Sequence, residues 1–208
     1  ASEKCWAISE DAAEIARDYL GYNPKKIAIR SLGTDTRMFF PKYDVPSEAR
    51  ADVRRQLGFE DSHIVCVYAG RMQEGKDPLI LARAIDRLVK QGQPFRGLFI
   101  GDGAPDYVEA MKQNAGCTFL PFVPVDHLPR YYQTADIGVW PKQESTSQMD
   151  AAACALPLVL SNRVRAMERL SGNALVYEEN NVDDIADKLL QLQEESVRRQ
   201  MGEVGSLK

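Results

Sequence analysis

The sequence predicts an α/β fold built on a doubly wound parallel sheet, and three observations carry that prediction. Short apolar runs alternate with amphipathic stretches from one end of the chain to the other, the pattern of strands joined by crossover helices. The strongest run, Ile64–Ala69, is rich in β-branched residues, as suits a strand covered on both faces. The residues equipped for chemistry fall just after such runs, and parallel sheets bind ligands outside the carboxyl ends of their strands.

In chain order, residues 5–8 read as a strand. Ser9 can cap a helix running to about Leu20, with Glu10 and Asp11 favourable in its first turn. Residues 26–30 are a second strand, residues 32–35 a turn, and residues 47–57 a helix with Ser47 as its cap. After Ile64–Ala69, Asp77 can cap a helix with Pro78 at its first position. There Leu79, Ala82, Ile85, Leu88 and Val89 recur at helical spacing. Strands follow at 97–100, 117–122, Ile137–Trp140, 157–160 and Ala174–Tyr177. Helices are expected at 105–115, 125–135, near Gln148, at 165–170 and from Asp183 or Asp184 through Leu192. A charged segment closes the chain. The doubly wound sheet is expected over residues 26–192. Residues 1–25 form a separate preceding element, and residues 193–208 a helical tail.

Composition narrows the class. The 208 residues are 44% hydrophobic and 27% charged, ordinary for a globular protein. A net charge of -4 and pI ≈ 5.3 give no footprint for nucleic acid. Cys5, Cys66, Cys117 and Cys154 lie far apart with no CxxC, so free thiols in a reducing compartment are expected. No apolar run approaches the roughly 18 residues of a membrane span. His63 and His127 lack partners at metal-ligand or triad spacing, and no metal site is expected.

Two stretches about seventy residues apart carry the chemistry. In the first, Gly70 permits a sharp turn after a strand. Arg71 can fork onto phosphate oxygens, and Lys76 adds a point charge near a helix N-terminus. The same cations could be solvated surface charges. Gly101-Asp102-Gly103 is a small turn that lets a ligand approach the backbone, or simply a tight turn. It is neither a GxGxxG fingerprint nor a GxxxxGK[ST] loop. In the second stretch Glu144 follows a strand and Asp150 opens an Ala-rich helix. Each carboxylate can accept two sugar hydroxyls at once. Ser145, Thr146 and Ser147 add hydroxyls and turn-prone amides between them. A plain alternative has Ser147 as a helix cap and the acids favouring the helix N-terminus.

Taken in order, these motifs resemble the carboxy-terminal, Rossmann-like domain of retaining glycosyltransferases of the large family four, which have the GT-B fold. The resemblance covers nearly the whole chain. Its pieces are residues 29–41, Gly70-Arg71 to Lys76, Gly101-Asp102-Gly103, residues 119–123, residues 131–137 and the Glu144–Asp150 stretch. It implies that Arg71 and Lys76 hold and stabilise a departing diphosphate in place of a metal. Glu144 would contact the donor sugar, Asp150 the ribose, and Phe122 the base, largely through backbone. It implies no cofactor, the donor being a nucleoside diphosphate sugar. The reaction would be hexosyl transfer with retention to a glycan or lipid-linked acceptor, as in polysaccharide biosynthesis. The resemblance also implies a missing amino-terminal acceptor domain, so this chain is expected to be a truncated fragment, inactive alone. Cytoplasmic location is expected, with any contact to the inner face of a membrane made through the absent domain.

The pattern departs from the family in places. Five residues rather than seven separate the two acids, and the second acid is aspartate. Ser-Thr-Ser replaces the glycine-rich loop, and Ala155 stands where glycine is usual. A non-catalytic nucleotide-sugar sensor or scaffold module is therefore an alternative. Another GT-B enzyme, such as a sugar 2-epimerase or phosphorylase, is a third reading.

Overall fold

The computed structural model describes residues 3–30, 32–142, 144–165 and 171–207. Its centre is a six-stranded sheet of β3 (Ile64–Ala69), β4 (Phe95–Ile100), β5 (Cys117–Leu120), β6 (Ile137–Trp140), β7 (Leu158–Ser161) and β8 (Ala174–Tyr177). The order is β5-β4-β3-β6-β7-β8, and every pairing is parallel. Numbered from its own first strand this is the 3-2-1-4-5-6 arrangement of a doubly wound Rossmann-like sheet, with its switch point between β3 and β6. The helices are α3 (Pro78–Lys90), α4 (Pro105–Lys112), α5 (Pro129–Thr134), α6 (Ser147–Ala153), α7 (Val182–Gln191) and α8 (Glu195–Ser206).

Before this sheet come β1 (Cys5–Ala7), α1 (Glu10–Asp18), β2 (Ile27–Ile29) and α2 (Ser47–Gln56). Here the sequence-based boundary at residue 26 is corrected. The strand at Ile27–Ile29 pairs in parallel with Cys5–Ala7 in a separate two-stranded sheet, and the large sheet begins at Ile64. Hydrophobic patterning locates strands but does not say which strands pair; the crossover through α1 closed β2 onto its nearest neighbour.

The core follows from the strands. Val65, Val67, Leu98, Ile137, Val139 and Val159 are wholly buried, and Leu81, Ile85 and Leu88 cover one face from α3. Tyr68 joins Phe99 and Trp140 in an aromatic row, each ring centroid 6.4 Å from that of Tyr68. Cys66 and Cys154 are buried thiols, and Cys5 and Cys117 partly covered ones.

Local signals held where the chemistry was local. Ser9 accepts the Ala12 amide at 3.2 Å and caps α1 as expected. Ser47 does not cap α2: Pro46 takes that position and Ser47 already lies inside the helix. Asp77 does precede α3, but in the left-handed region (φ 48) and without a capping bond. The strand expected to reach Phe122 stops at Leu120, because Pro121 has no N–H for the ladder. The stretch 125–135 divides into a 3-10 turn, Val125–His127, and α5. Of the helix expected at 165–170, all but Arg165 lies outside the described residues.

The closing helix, α8, packs closely on α6 and the turn after it. A Cβ on Gly202 would stand 2.2 Å from the Ala155 carbonyl oxygen. Buried Arg198 donates to the Leu192 carbonyl at 2.8 Å and to that of Gln193 at 2.5 Å. Ala155 itself sits at φ 58, a left-handed conformation that explains why glycine is usual there.

Candidate functional site

The loops after β3 and β4 form one shelf. The Gly70 amide donates to the Ile100 carbonyl and the Met72 amide to that of Asp102, both at 2.9 Å, and Met72 bridges Gly103 in parallel. A Cβ on Gly101 would lie 2.2 Å from the Gly70 oxygen, and one on Gly103 2.1 Å from the Met72 oxygen. These glycines therefore admit a neighbouring loop, where the sequence had suggested that they admit a ligand. Tyr68 donates to the Arg71 carbonyl at 2.8 Å, fixing the start of the loop. The Arg71 side chain is exposed and, among the described residues, makes no ion pair. Asp102 accepts the Phe122 amide at 3.2 Å, so that amide is already engaged; the Phe122 ring is 69% exposed.

Across the switch point the loops after β3 and β6 meet. Lys76 Nζ donates to the Glu144 carbonyl at 3.1 Å. Partial burial draws the Lys76 pKa below that of a free lysine. Asp77 pairs with Lys142 at 3.1 Å and accepts the Tyr107 hydroxyl at 3.2 Å. Its carboxylate thus bridges loops instead of capping α3.

The two serine hydroxyls of the second stretch are spent on the fold. Ser147 Oγ donates to the Ala69 carbonyl at 3.2 Å and accepts the Trp140 indole N–H at 3.0 Å. The hydroxyls of Ser147 and Ser145 share a hydrogen bond of 2.7 Å. Thr146 occupies the cap position of α6 without a side-chain cap bond, so Ser147 is a strut and not the helix cap. The Asp150 carboxylate accepts the Thr34 hydroxyl. Burial raises the Asp150 pKa, and that hydrogen bond partly offsets it. Glu144 Oε1 accepts the Arg165 amide at 2.7 Å.

A cleft of about 400 Å³ opens beside these loops, lined among others by Glu74, Lys142, Glu144, Arg163 and Glu179. Arg163 pairs with Glu179 at 3.5 Å, and Glu179 accepts the Ser161 hydroxyl at 2.7 Å. Of the residues singled out from sequence, Glu144 lines this cleft and Lys76 reaches its backbone. Arg71, Gly70, Gly101, Gly103 and Phe122 lie along the shelf to one side, and Asp150 lies on α6. Lys142, Arg163 and Glu179 were missed. The rule that placed Glu144, a polar residue just past a strand, also picks Arg163 past β7 and Glu179 past β8. Lys142, two residues past β6, follows from the same rule.

A line of polar groups at the carboxyl edge of a 3-2-1-4-5-6 sheet has counterparts in known proteins. The family model for glycosyl transferases group 1 matches residues 63–195, well over half of the chain. The chain belongs to the glycosyl transferases group 1 family. It is 27% identical over 175 residues to a D-inositol 3-phosphate glycosyltransferase from Geodermatophilus obscurus, covering 76% of this chain and 38% of that protein. A glycosyltransferase structure from Rickettsia africae superposes with TM-score 0.83 at 16% identity, covering 99% of this chain and 57% of that one. The Anabaena protein HepE, solved in complex with UDP, gives TM-score 0.80 at 18% identity, covering 99% and 59%. The fold is that of the carboxy-terminal domain of GT-B glycosyltransferases. This group 1 domain spans about half the length of the curated relatives it matches, or less. Among its described residues no helix is long and apolar enough to cross a membrane, and no three His, Cys, Asp or Glu side chains gather as a metal site.

Proposed function

We propose that this domain binds a nucleoside diphosphate sugar across the switch point and is the donor half of a retaining glycosyltransferase. The observation that carries the reading is the meeting of the β3 and β6 loops, where Lys76 lies against the Glu144 backbone at the mouth of an acid-lined cleft. A ligand at this crevice would set its phosphates by Lys76 and Arg71, its base toward Phe122 and its sugar toward Glu144. HepE's complex with UDP supports that class of ligand. As the glycosidic bond breaks, negative charge grows on the diphosphate. Fixed cations beside it lower the barrier without a metal. To reach a phosphate oxygen Lys76 must leave the Glu144 carbonyl. An anionic phosphate would also restore the charge that burial disfavours, raising the Lys76 pKa.

The reading extends to hexosyl donors, to a glycan or lipid-linked acceptor held on a further domain, and to work at the cytoplasmic face of a membrane through that domain. On it, the β1–α1–β2 unit is the remnant of that domain, and the 208-residue chain alone binds donor without transferring sugar. One observation favours the non-catalytic alternative: Asp150 and Glu144 are already engaged, by Thr34 and by the Arg165 amide. Titration of the chain with UDP, GDP and ADP, followed by amide shifts, tests the reading. Binding of one nucleotide, lost in Arg71→Ala/Lys76→Ala, is expected. Binding of none at millimolar concentration would sink it.

A further inference from the structure

Both candidate acids are tied to the small amino-terminal unit. Arg165, whose amide holds Glu144 Oε1, sends its guanidinium to α1. There Nη1 pairs with Asp11 at 2.7 Å and Nη2 with Glu14 at 3.3 Å. Asp11 and Glu14 are three residues apart and share one face of α1. Asp11 Oδ1 is shut off from solvent and makes no hydrogen bond among the described residues, so the Arg165 charge compensates it. Thr34, in the segment following β2, donates its hydroxyl to Asp150. The β1–α1–β2 unit makes no ladder with the large sheet. Through Arg165 it nonetheless reaches Glu144, and the segment that follows it reaches Asp150 through Thr34.

We propose that this unit is the positioning frame of the donor site. Arg165 carries the orientation of α1 to Glu144, and Thr34 carries that of the segment after β2 to Asp150. Neither residue touches the reacting atoms; each fixes the direction of a carboxylate. The inference rests on the proposed function, with Glu144 at the sugar and Asp150 at the ribose. It makes a prediction that general loosening does not. The sugar is present only in the nucleotide sugar, whereas the ribose is present in both ligands. Breaking the α1 tie should weaken binding of the nucleotide sugar alone, and breaking the Thr34 tie should weaken both.

The test uses the whole chain with three probe pairs: UDP and UDP-glucose, GDP and GDP-mannose, ADP and ADP-glucose. Asp11→Asn/Glu14→Gln is expected to lower affinity for the nucleotide sugar about two- to fivefold, the range an exposed ion pair supports, and to spare the nucleoside diphosphate. Thr34→Val is expected to lower both by a similar factor, with Thr34→Ser restoring them. The amide resonance of Arg165 is read alongside and should shift in Asp11→Asn/Glu14→Gln. Affinities unmoved in both variants, or lowered equally for both ligands by each, would overturn the frame. If the unaltered chain binds none of the six probes, the donor-site reading fails. The Arg165 amide then decides the tie alone: a shift retains it, and an unmoved resonance removes it.

Discussion

At the amino-terminal end of β6, Asp136 lies between Lys42 at 3.7 Å and Arg54 at 3.2 Å, both almost out of solvent. Beyond the carboxyl end of the same strand, Lys142 and Glu144 border an open cleft. At the amino-terminal end the bonds of the cluster serve the fold, although Arg54 Nε makes none among the described residues and Arg54 and Asp136 also line a cleft of about 250 Å³. Lys42 also donates to the Ala135 carbonyl and Arg54 to that of Thr134, while Asp136 accepts the Val65 amide at 2.8 Å. Burial alone would raise the Asp136 pKa, but Lys42, Arg54 and the Val65 amide outweigh it and hold the carboxyl below its usual range. Burial draws Lys42 down to about 8. Above the sheet, charges bridge loops and leave Arg71 facing water. One strand thus separates charges that hold the domain together from charges placed at the proposed donor site.

Four variants probe that division. Asp136→Asn should cost about 3–5 kcal/mol, because it leaves Lys42 and Arg54 buried without a counter-charge. A denaturant midpoint measures this, and nucleotide affinity of the folded protein should not change. The acid response follows from the same group. A depressed carboxyl stabilises the fold above its unfolded pKa, near 3.8, and that contribution is lost as pH falls through the lower folded value. The acid limb of stability should flatten in the variant. Next, Arg71→Ala/Lys76→Ala should weaken nucleotide binding by about a hundredfold, as expected for lost charge-assisted bonds. Stability should move by no more than about 0.5 kcal/mol. Gly103→Ala cuts across the division: a Cβ against the Met72 carbonyl should cost about 1–3 kcal/mol in unfolding and weaken nucleotide binding together. Finally, Ala155→Gly should raise stability by about 0.5–1 kcal/mol, relieving a left-handed alanine. Unchanged binding would keep that turn on the structural side.

The architecture was readable because it rests on periodicity. Ile64–Ala69, Ile137–Trp140 and Ala174–Tyr177 are strands in the structure, and the helices between them supply the crossovers. Pairing was not readable, and β2 went to the wrong sheet for that reason. Residue types near strand ends gave Lys76 and Glu144. The bond between them joins positions 68 apart, which no local pattern encodes. The serines show the opposite limit. Their hydroxyls suggested ligand contacts, but a buried indole N–H and the buried carbonyl that ends β3 required them first.

The contact of Gly101 with Gly70 and of Gly103 with Met72 has a kinetic corollary. Two loops joined that closely cannot adjust one at a time, so on the proposed function the side of the crevice assigned to the base would be set before a ligand arrives. On the other side Lys76 would exchange the Glu144 carbonyl for a phosphate oxygen, a side-chain step too fast to limit docking. Association should be nearly insensitive to the sugar, and residence time should carry the discrimination between donors.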